Sequence, residues 1–198
     1  MSNSKDSLNR RRELIRPLLQ DPNPGVQKCA SRALEKIESQ NDLDTWIGHL
    51  KEGKNRELRV KSVYALARVP GEKALRAILE ATKNPEEDVR AAAVRSLRQR
   101  NEMTIYEVLI ELLEDQSAVV RALTAETIGL KGARKLVPYL LAHLSEKNQE
   151  VLEQVLTALG KLGDPLAEKP LIDMLNHSEP RVRGLAVLAL GELDPPGD

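Results

Sequence analysis

The stretch VRGLAVLAL, Val182 to Leu190, decides the fold, because five relatives of it recur upstream. They are VLEQVLTAL from Val151, VRALTAETI from Val120, VRAAAVRSL from Val89, LRVKSVYAL from Leu58 and VQKCASRAL from Val26. The anchors lie 31 residues apart, except the first pair, which is 32 apart. A fixed period of this length is the signature of an array of supersecondary units. Within each copy the apolar positions at zero, four, five and eight follow a helical period. Small residues at four and seven, such as Ala30 and Ala33 or Ala186 and Ala189, let a neighbouring helix come close.

A second apolar helix precedes each anchor. Eleven residues upstream stand Ile15, Ile47, Ile78, Leu109, Leu140 and Leu171. Turn chemistry separates the two helices at Asp21-Pro-Asn-Pro-Gly25, Gly53-Lys-Asn55, Asn84-Pro85, Asp115-Gln-Ser117 and Asn176 to Pro180. Pro70-Gly71, Gly132 and Gly163-Asp-Pro165 separate one unit from the next. The expected repeats are about 7–38, 42–69, 70–100, 103–131, 133–162 and 164–193. One helix pair cannot bury its own stripe, so the units are expected to stack in chain order as a single domain over residues 1–198.

Composition agrees. Hydrophobic residues make up 41% and charged residues 30%, enough for a core and too apolar for disorder. The aromatics are Trp46, Tyr64, Tyr106 and Tyr139 alone, which disfavours strands. One cysteine, Cys29, excludes an internal disulfide and a Cys-based metal site. The six-residue apolar run Leu185–Leu190 is far too short for a membrane span, and MSNSKDSLNRRR has no secretory core, so a cytoplasmic setting is expected.

The VRxxAxxAL helix, the Gly-Asp-Pro entering the next unit and the two-helix period resemble short HEAT repeats, above all the bacterial phycobilisome-lyase-type variant. The match is closest in 151–165 and 182–196, and poorer from Val26 and Leu58. The resemblance implies an all-α, right-handed α-solenoid of about six stacked two-helix repeats. It also implies a ladder between an Arg after the anchor and an Asp in the turn. By position the rungs are Arg59, Arg90, Arg121 and Arg183, while Gln27 and Leu152 break the series. The acid position, five before the anchor, holds Asp21, Gly53, Asn84, Asp115, Glu146 and His177. Only Asp115, with Arg90 or Arg121, is expected to complete a pair, leaving weak joints at the second and fifth units.

In such stacks the second helices line a concave face, which the resemblance makes the partner-binding surface. Positions near two, three, six and ten from the anchor are expected to be exposed there. They select Lys28, Arg32, Lys61, Tyr64, Arg68, Arg95 and Arg98 in the first half, and Glu126, Leu185 and Leu188 in the second. Net charge is zero overall. Residues 1–100 nevertheless carry 21 basic against 14 acidic groups, and the remainder 9 against 16. The basic half suits an acidic protein partner, and head-to-tail assembly is a further reading of the asymmetry.

No catalytic constellation is recognisable. His49, His143 and His177 form no HExxH, and no His-Glu dipeptide exists, whereas HEAT-like di-iron hydroxylases use repeated His-Glu pairs. His143 reads as a core-edge residue, His177 as a cap and Cys29 as a structural thiol. No phosphate-binding glycine motif is present. A non-enzymatic protein-binding scaffold without metal or cofactor is therefore expected. One alternative is an accessory subunit resembling bilin lyases and handling a chromophore. Another is a DNA-binding module using the basic half, disfavoured by a pI near 6.9, by few stacking aromatics and by the placement of Trp46 on a first helix. Leu185 and Leu188 stand at positions that are Lys61 and Gln154, or Arg32 and Arg95, in other units, which marks the last unit for a partner, for self-association or for cover by Pro195-Pro196.

Overall fold

The computed structural model describes residues 4–52 and 55–195. The expected turn residues Gly53 and Lys54, and Pro196, lie outside the described residues. Among the described residues there is no strand. The helices are α1 (Ser4–Ile15), α2 (Pro24–Glu52), α3 (Arg56–Ala67), α4 (Glu72–Ala81), α5 (Glu87–Leu97), α6 (Thr104–Leu113), α7 (Ala118–Leu130), α8 (Val137–Ala142), α9 (Gln149–Leu162), α10 (Glu168–Met174) and α11 (Pro180–Gly191). Short 3-10 turns occupy Arg16–Gln20, Arg134–Leu136, His143–Ser145 and Pro165–Ala167. The fold is an all-α solenoid of helix pairs. The chain separates into two compact units, Met1–Ala77 and Ile78–Asp198, described in turn.

In the first unit, α1 and the 3-10 turn after it pack on α2. The chain departs here from the expected repeat boundary between 38 and 42. No proline interrupts 25–52, and Gly48 is the only glycine after Gly25 in that span. The helix therefore runs through, joining the second helix of one expected repeat to the first helix of the next. Its buried residues Ala30, Leu34, Ile37, Leu43 and Leu50 keep helical spacing across the join. Val63 and Leu66 of α3 complete this core.

In the second unit, α5, α7, α9 and α11 pack one on the next, and α6, α8 and α10 lie against α7, α9 and α11. The anchors Val89, Val120, Val151 and Val182 are completely buried. Three residues before an anchor, Ser117 and Asn148 accept the anchor N–H at 3.4 and 3.2 Å and so start α7 and α9; Asn55 does the same for Leu58 in the first unit. Gly163 ends α9 in the left-handed region at φ 63°, its N–H bonded to the Leu159 and Gly160 carbonyls.

Two glycines set the spacing of this stack. A Cβ on Gly129 would lie 2.8 Å from the Ala158 Cα, and one on Gly160 would lie 3.0 Å from the Ala189 Cα. In both joints a glycine nine residues after one anchor receives an alanine seven after the next. Gly184, by contrast, faces open space. Gly129→Ala is therefore expected to destabilise by about 1–3 kcal/mol through overpacking, against its gain in helix propensity. Gly184→Ala should stabilise by up to about 1 kcal/mol. Urea midpoints of the two variants check the contrast.

Candidate functional site

The turns of the second unit carry a repeated polar device. Arg90 donates from Nε and Nη2 to the two Asp115 carboxylate oxygens, both at 2.8 Å. Its Nη1 reaches back to the Asn84 and Pro85 carbonyls at 2.9 and 3.0 Å. One repeat later Arg121 binds Glu146 through Nε at 2.9 Å and Nη2 at 3.2 Å. Its Nη1 donates to the carbonyls of Asp115 and Gln116. The sequence pointed to a pair at Asp115 alone. Glu146, one methylene longer, makes the second, because its backbone position lets both oxygens face the guanidinium fork.

The same backbone contact recurs where the acid is missing. Arg183 Nη1 donates to the His177 and Ser178 carbonyls, both at 2.8 Å. Gln27 Nε2 donates to the Asp21 carbonyl at 2.7 Å, so the residue after the anchor staples its own turn even without a guanidinium. The position five before the anchor shapes that turn. Asp21, Asn84, Asp115, Glu146 and His177 each accept a backbone N–H from two residues on, at 2.8–3.1 Å. Arg59 lies half-buried in α3. Leu152 is buried.

Electrostatics follow the geometry. The Arg90 and Asp115 side chains are 6% and 8% exposed. Burial is the largest single influence on Asp115 and pushes its carboxyl up. The Arg90 and Ser117 hydrogen bonds and the Arg90 and Arg121 charges together outweigh it and hold Asp115 below the ordinary range. The hydrogen bond to Asp115 in turn raises Arg90. Glu146 is lowered first by the Asn148 N–H, then by Arg121. Across the α5–α7 joint, Lys131 Nζ caps the end of α5 on the carbonyls of Leu97, Arg98 and Arg100, and burial lowers its pKa.

The residues expected to face a partner divide into groups. In the first unit Lys28, Arg32, Lys61, Tyr64 and Arg68 are exposed. In the second, Arg95 is exposed, but Arg98 and Glu126 neutralise each other, and Arg98 Nε also donates to Thr127 Oγ1. Position two, expected to be open, is buried at Ala91, Ala122 and Glu153, because it faces the next repeat. Leu185 and Leu188 line an open groove of about 330 Å³ between α9 and α11, together with Leu156, Thr157, Gly160, Lys161, Ala189 and Glu192. A second groove, between α6 and α8, went unnoticed in the sequence. It is lined by Met103, Tyr106, Ile110 and Tyr139, with Lys135 Nζ 3.7 Å from the Tyr106 ring centre. Two of the four aromatics in one column of first helices were the available signal.

The remaining candidates are placed plainly. His143 is mostly buried, with Nδ1 2.8 Å from the Tyr139 carbonyl and Nε2 3.1 Å from that of Leu113. Trp46 meets His49 edge-on. Cys29, expected to be a packed structural thiol, is exposed, because α2 turns that face outward. Among the described residues no three His, Cys, Asp or Glu side chains gather to hold a metal. No helix among them is long and apolar enough to cross a membrane.

Residues 106–191 match the HEAT-repeat family model, and residues 89–115 match the PBS lyase HEAT-like repeat. Residues 89–191 are HEAT repeats. A HEAT repeat-containing taxis protein of Halobacterium salinarum is 26% identical over an alignment of 169 residues that covers 75% of this chain and 41% of that protein. The chain thus spans less than half the length of this relative. A designed armadillo repeat protein in complex with the peptide (KR)4 superposes with TM-score 0.57 at 17% identity, covering 92% of this chain and 99% of its own. The complex of CpcE and CpcF of phycocyanin lyase from Nostoc sp. PCC7120 gives TM-score 0.50 at 23% identity, covering 91% of this chain and 76% of that one. Both likenesses concern the fold, which a protein named as an enzyme also uses.

The HEAT rungs generate a pH dependence. Asp115 and Glu146 are held low in the folded chain, so in acid the unfolded chain binds more protons. Their contribution is fully present above about pH 4–4.5, where unfolded carboxylates ionise, and is lost as pH falls through the lower folded values. Asp115→Asn should cost about 3–5 kcal/mol at pH 7 by stranding Arg90, and should flatten the loss of stability between pH 5 and pH 3. Urea midpoints across that range check both effects.

Proposed function

We propose that this chain is a non-enzymatic scaffold that binds a protein partner along its second-helix face. The observation that carries the reading is the groove between α9 and α11. Leu185 and Leu188 open apolar surface there, and Lys161 and Glu192 flank it with opposite charges. Such a cleft accepts an apolar side chain of a partner segment and orients the segment by charge. On the same repeat position in the first unit, Lys61, Tyr64 and Arg68 of α3 and its cap are exposed and suit an acidic segment. The similarity to a taxis protein and to a designed peptide-binding repeat protein supports a role in recognition.

Leu185→Glu with Leu188→Glu should abolish capture of the partner from a host lysate, read by mass spectrometry, while circular dichroism stays unchanged. Arg68→Glu with Arg95→Glu should weaken capture of an acidic partner. Undiminished capture by both double variants would remove the second-helix face from the account. A bilin added to the purified chain is expected to produce no bound absorbance spectrum, which separates the scaffold from the chromophore-handling alternative.

A further inference from the structure

Two shallow hollows on the first helices of the second unit are one groove taken twice. The first, of about 320 Å³, lies between α6 and α8 and is lined by Ile110 and Tyr139. The second, of about 350 Å³, lies between α8 and α10 and is lined by Leu141 and Pro170. Leu141 stands 31 residues after Ile110, and Pro170 stands 31 after Tyr139. The repeat thus sets two apolar hollows side by side with α8 as the ridge between them. Packed helix axes lie about 8–10 Å apart, which fixes the step from one hollow to the next. Ile172, 31 residues beyond Leu141, extends the aliphatic line and is 46% exposed.

The ridge differs from the helices beside it. Thirteen and nine residues before the next anchor, α6 carries Glu107 and Glu111, and α10 carries Lys169 and Asp173, all exposed. At the same two positions α8 has Pro138 and Ala142, also exposed, so its crest bears no charge and little bulk. The charges around the hollows are unequal. Helices α6, α8 and α10, with the 3-10 turn before α8, carry the carboxylates Glu107, Glu111, Glu168 and Asp173. Among the described residues none of the four is in an ion pair. Glu107 lines the first hollow and Asp173 the second. The same elements carry three cations, and two are engaged. Arg134 pairs with Asp194, and Lys135 Nζ lies 3.7 Å from the Tyr106 ring centre and 3.6 Å from Met103 Sδ.

We propose that this face binds a basic, extended segment of a partner protein. The segment crosses α8 over Pro138 and Ala142 and sets one apolar side chain in each hollow. Its lysines or arginines lie beside Glu107, Glu111 and Asp173. A polyproline II chain suits the step, because it returns a side chain to the same side every three residues, after about 9 Å. Aromatic and proline walls such as Tyr139 and Pro170 are surfaces on which that conformation packs. The surface is distinct from the groove between α9 and α11, and the assignment does not rest on that reading.

Fluorescence anisotropy of labelled synthetic peptides, titrated with the purified full chain, tests it. The probe is Arg-Leu-Lys-Pro-Leu-Arg, whose leucines are three apart. One control sets the two leucines side by side, and another replaces arginine and lysine by glutamate. Wild type should bind the probe saturably and at least about tenfold more tightly than either control. Ala142→Arg, which puts a charge on the crest, should weaken binding at least about tenfold with circular dichroism unchanged. Glu111→Lys with Asp173→Lys, both on exposed side chains, should do the same. Leu185→Glu with Leu188→Glu should leave the affinity at its wild-type value. Absence of saturable binding up to about millimolar concentration, or equal binding of all three peptides, overturns the proposal. So does undiminished binding by the Ala142 and Glu111–Asp173 variants, or its loss in the Leu185–Leu188 variant.

Discussion

An arginine that holds its own turn with one nitrogen and the next turn's carboxylate with the other two constrains everything else in the second unit. Arg90 and Arg121 each satisfy two backbone carbonyls and a carboxylate at once. A guanidinium is suited to this because its donors are fixed in a plane and it stays charged. The carboxylate is itself held by a backbone N–H in its turn. Removing the pair from water is costly, so it stabilises the fold only when all these partners are present together. That condition is met when successive turns lie in register, which ties the 31-residue period to a fixed offset between repeats.

Packing supplies the bulk of the stability and follows the same period. The anchor valines vanish into the core, and the aliphatic residues eight further on, such as Leu97, Ile128 and Leu159, do likewise. Glycine against alanine then brings α7, α9 and α11 to backbone contact. Short polar caps at Asn55, Ser117 and Asn148 start α3, α7 and α9 where the turn ends, so local and tertiary preferences agree there.

Periodicity made the fold legible before any coordinates. Anchors, caps and turn acids all sit at fixed offsets, and the family resemblance, carried over by position, named Asp115 as a rung acid with Arg90 or Arg121 as its partner. What escaped was decided by context. Glu146 replaces aspartate because side-chain length is absorbed by rotamers, which a strict motif ignores. The fusion within α2 follows from the lack of a breaker near residue 40, a signal weaker than a proline. Position two was misjudged because helix faces were counted from the anchor without the neighbour that covers them. Arg98 and Glu126 seemed available to a partner, yet lie within reach of each other across a joint that sequence distance conceals. The groove between α9 and α11 was anticipated only as two misplaced leucines.

The joint between α5 and α7 differs from its neighbours. Where α7 and α9 place glycine, α5 is followed by Arg98, whose side chain lies over Thr127 and Glu126, and Lys131 grips the carbonyls at the end of α5. Long side chains stand here in place of backbone seated on backbone. A changed side chain at this seam can be absorbed by rotation about its own bonds, whereas a Cβ added at Gly129 or Gly160 presses directly on the main chain of the next helix.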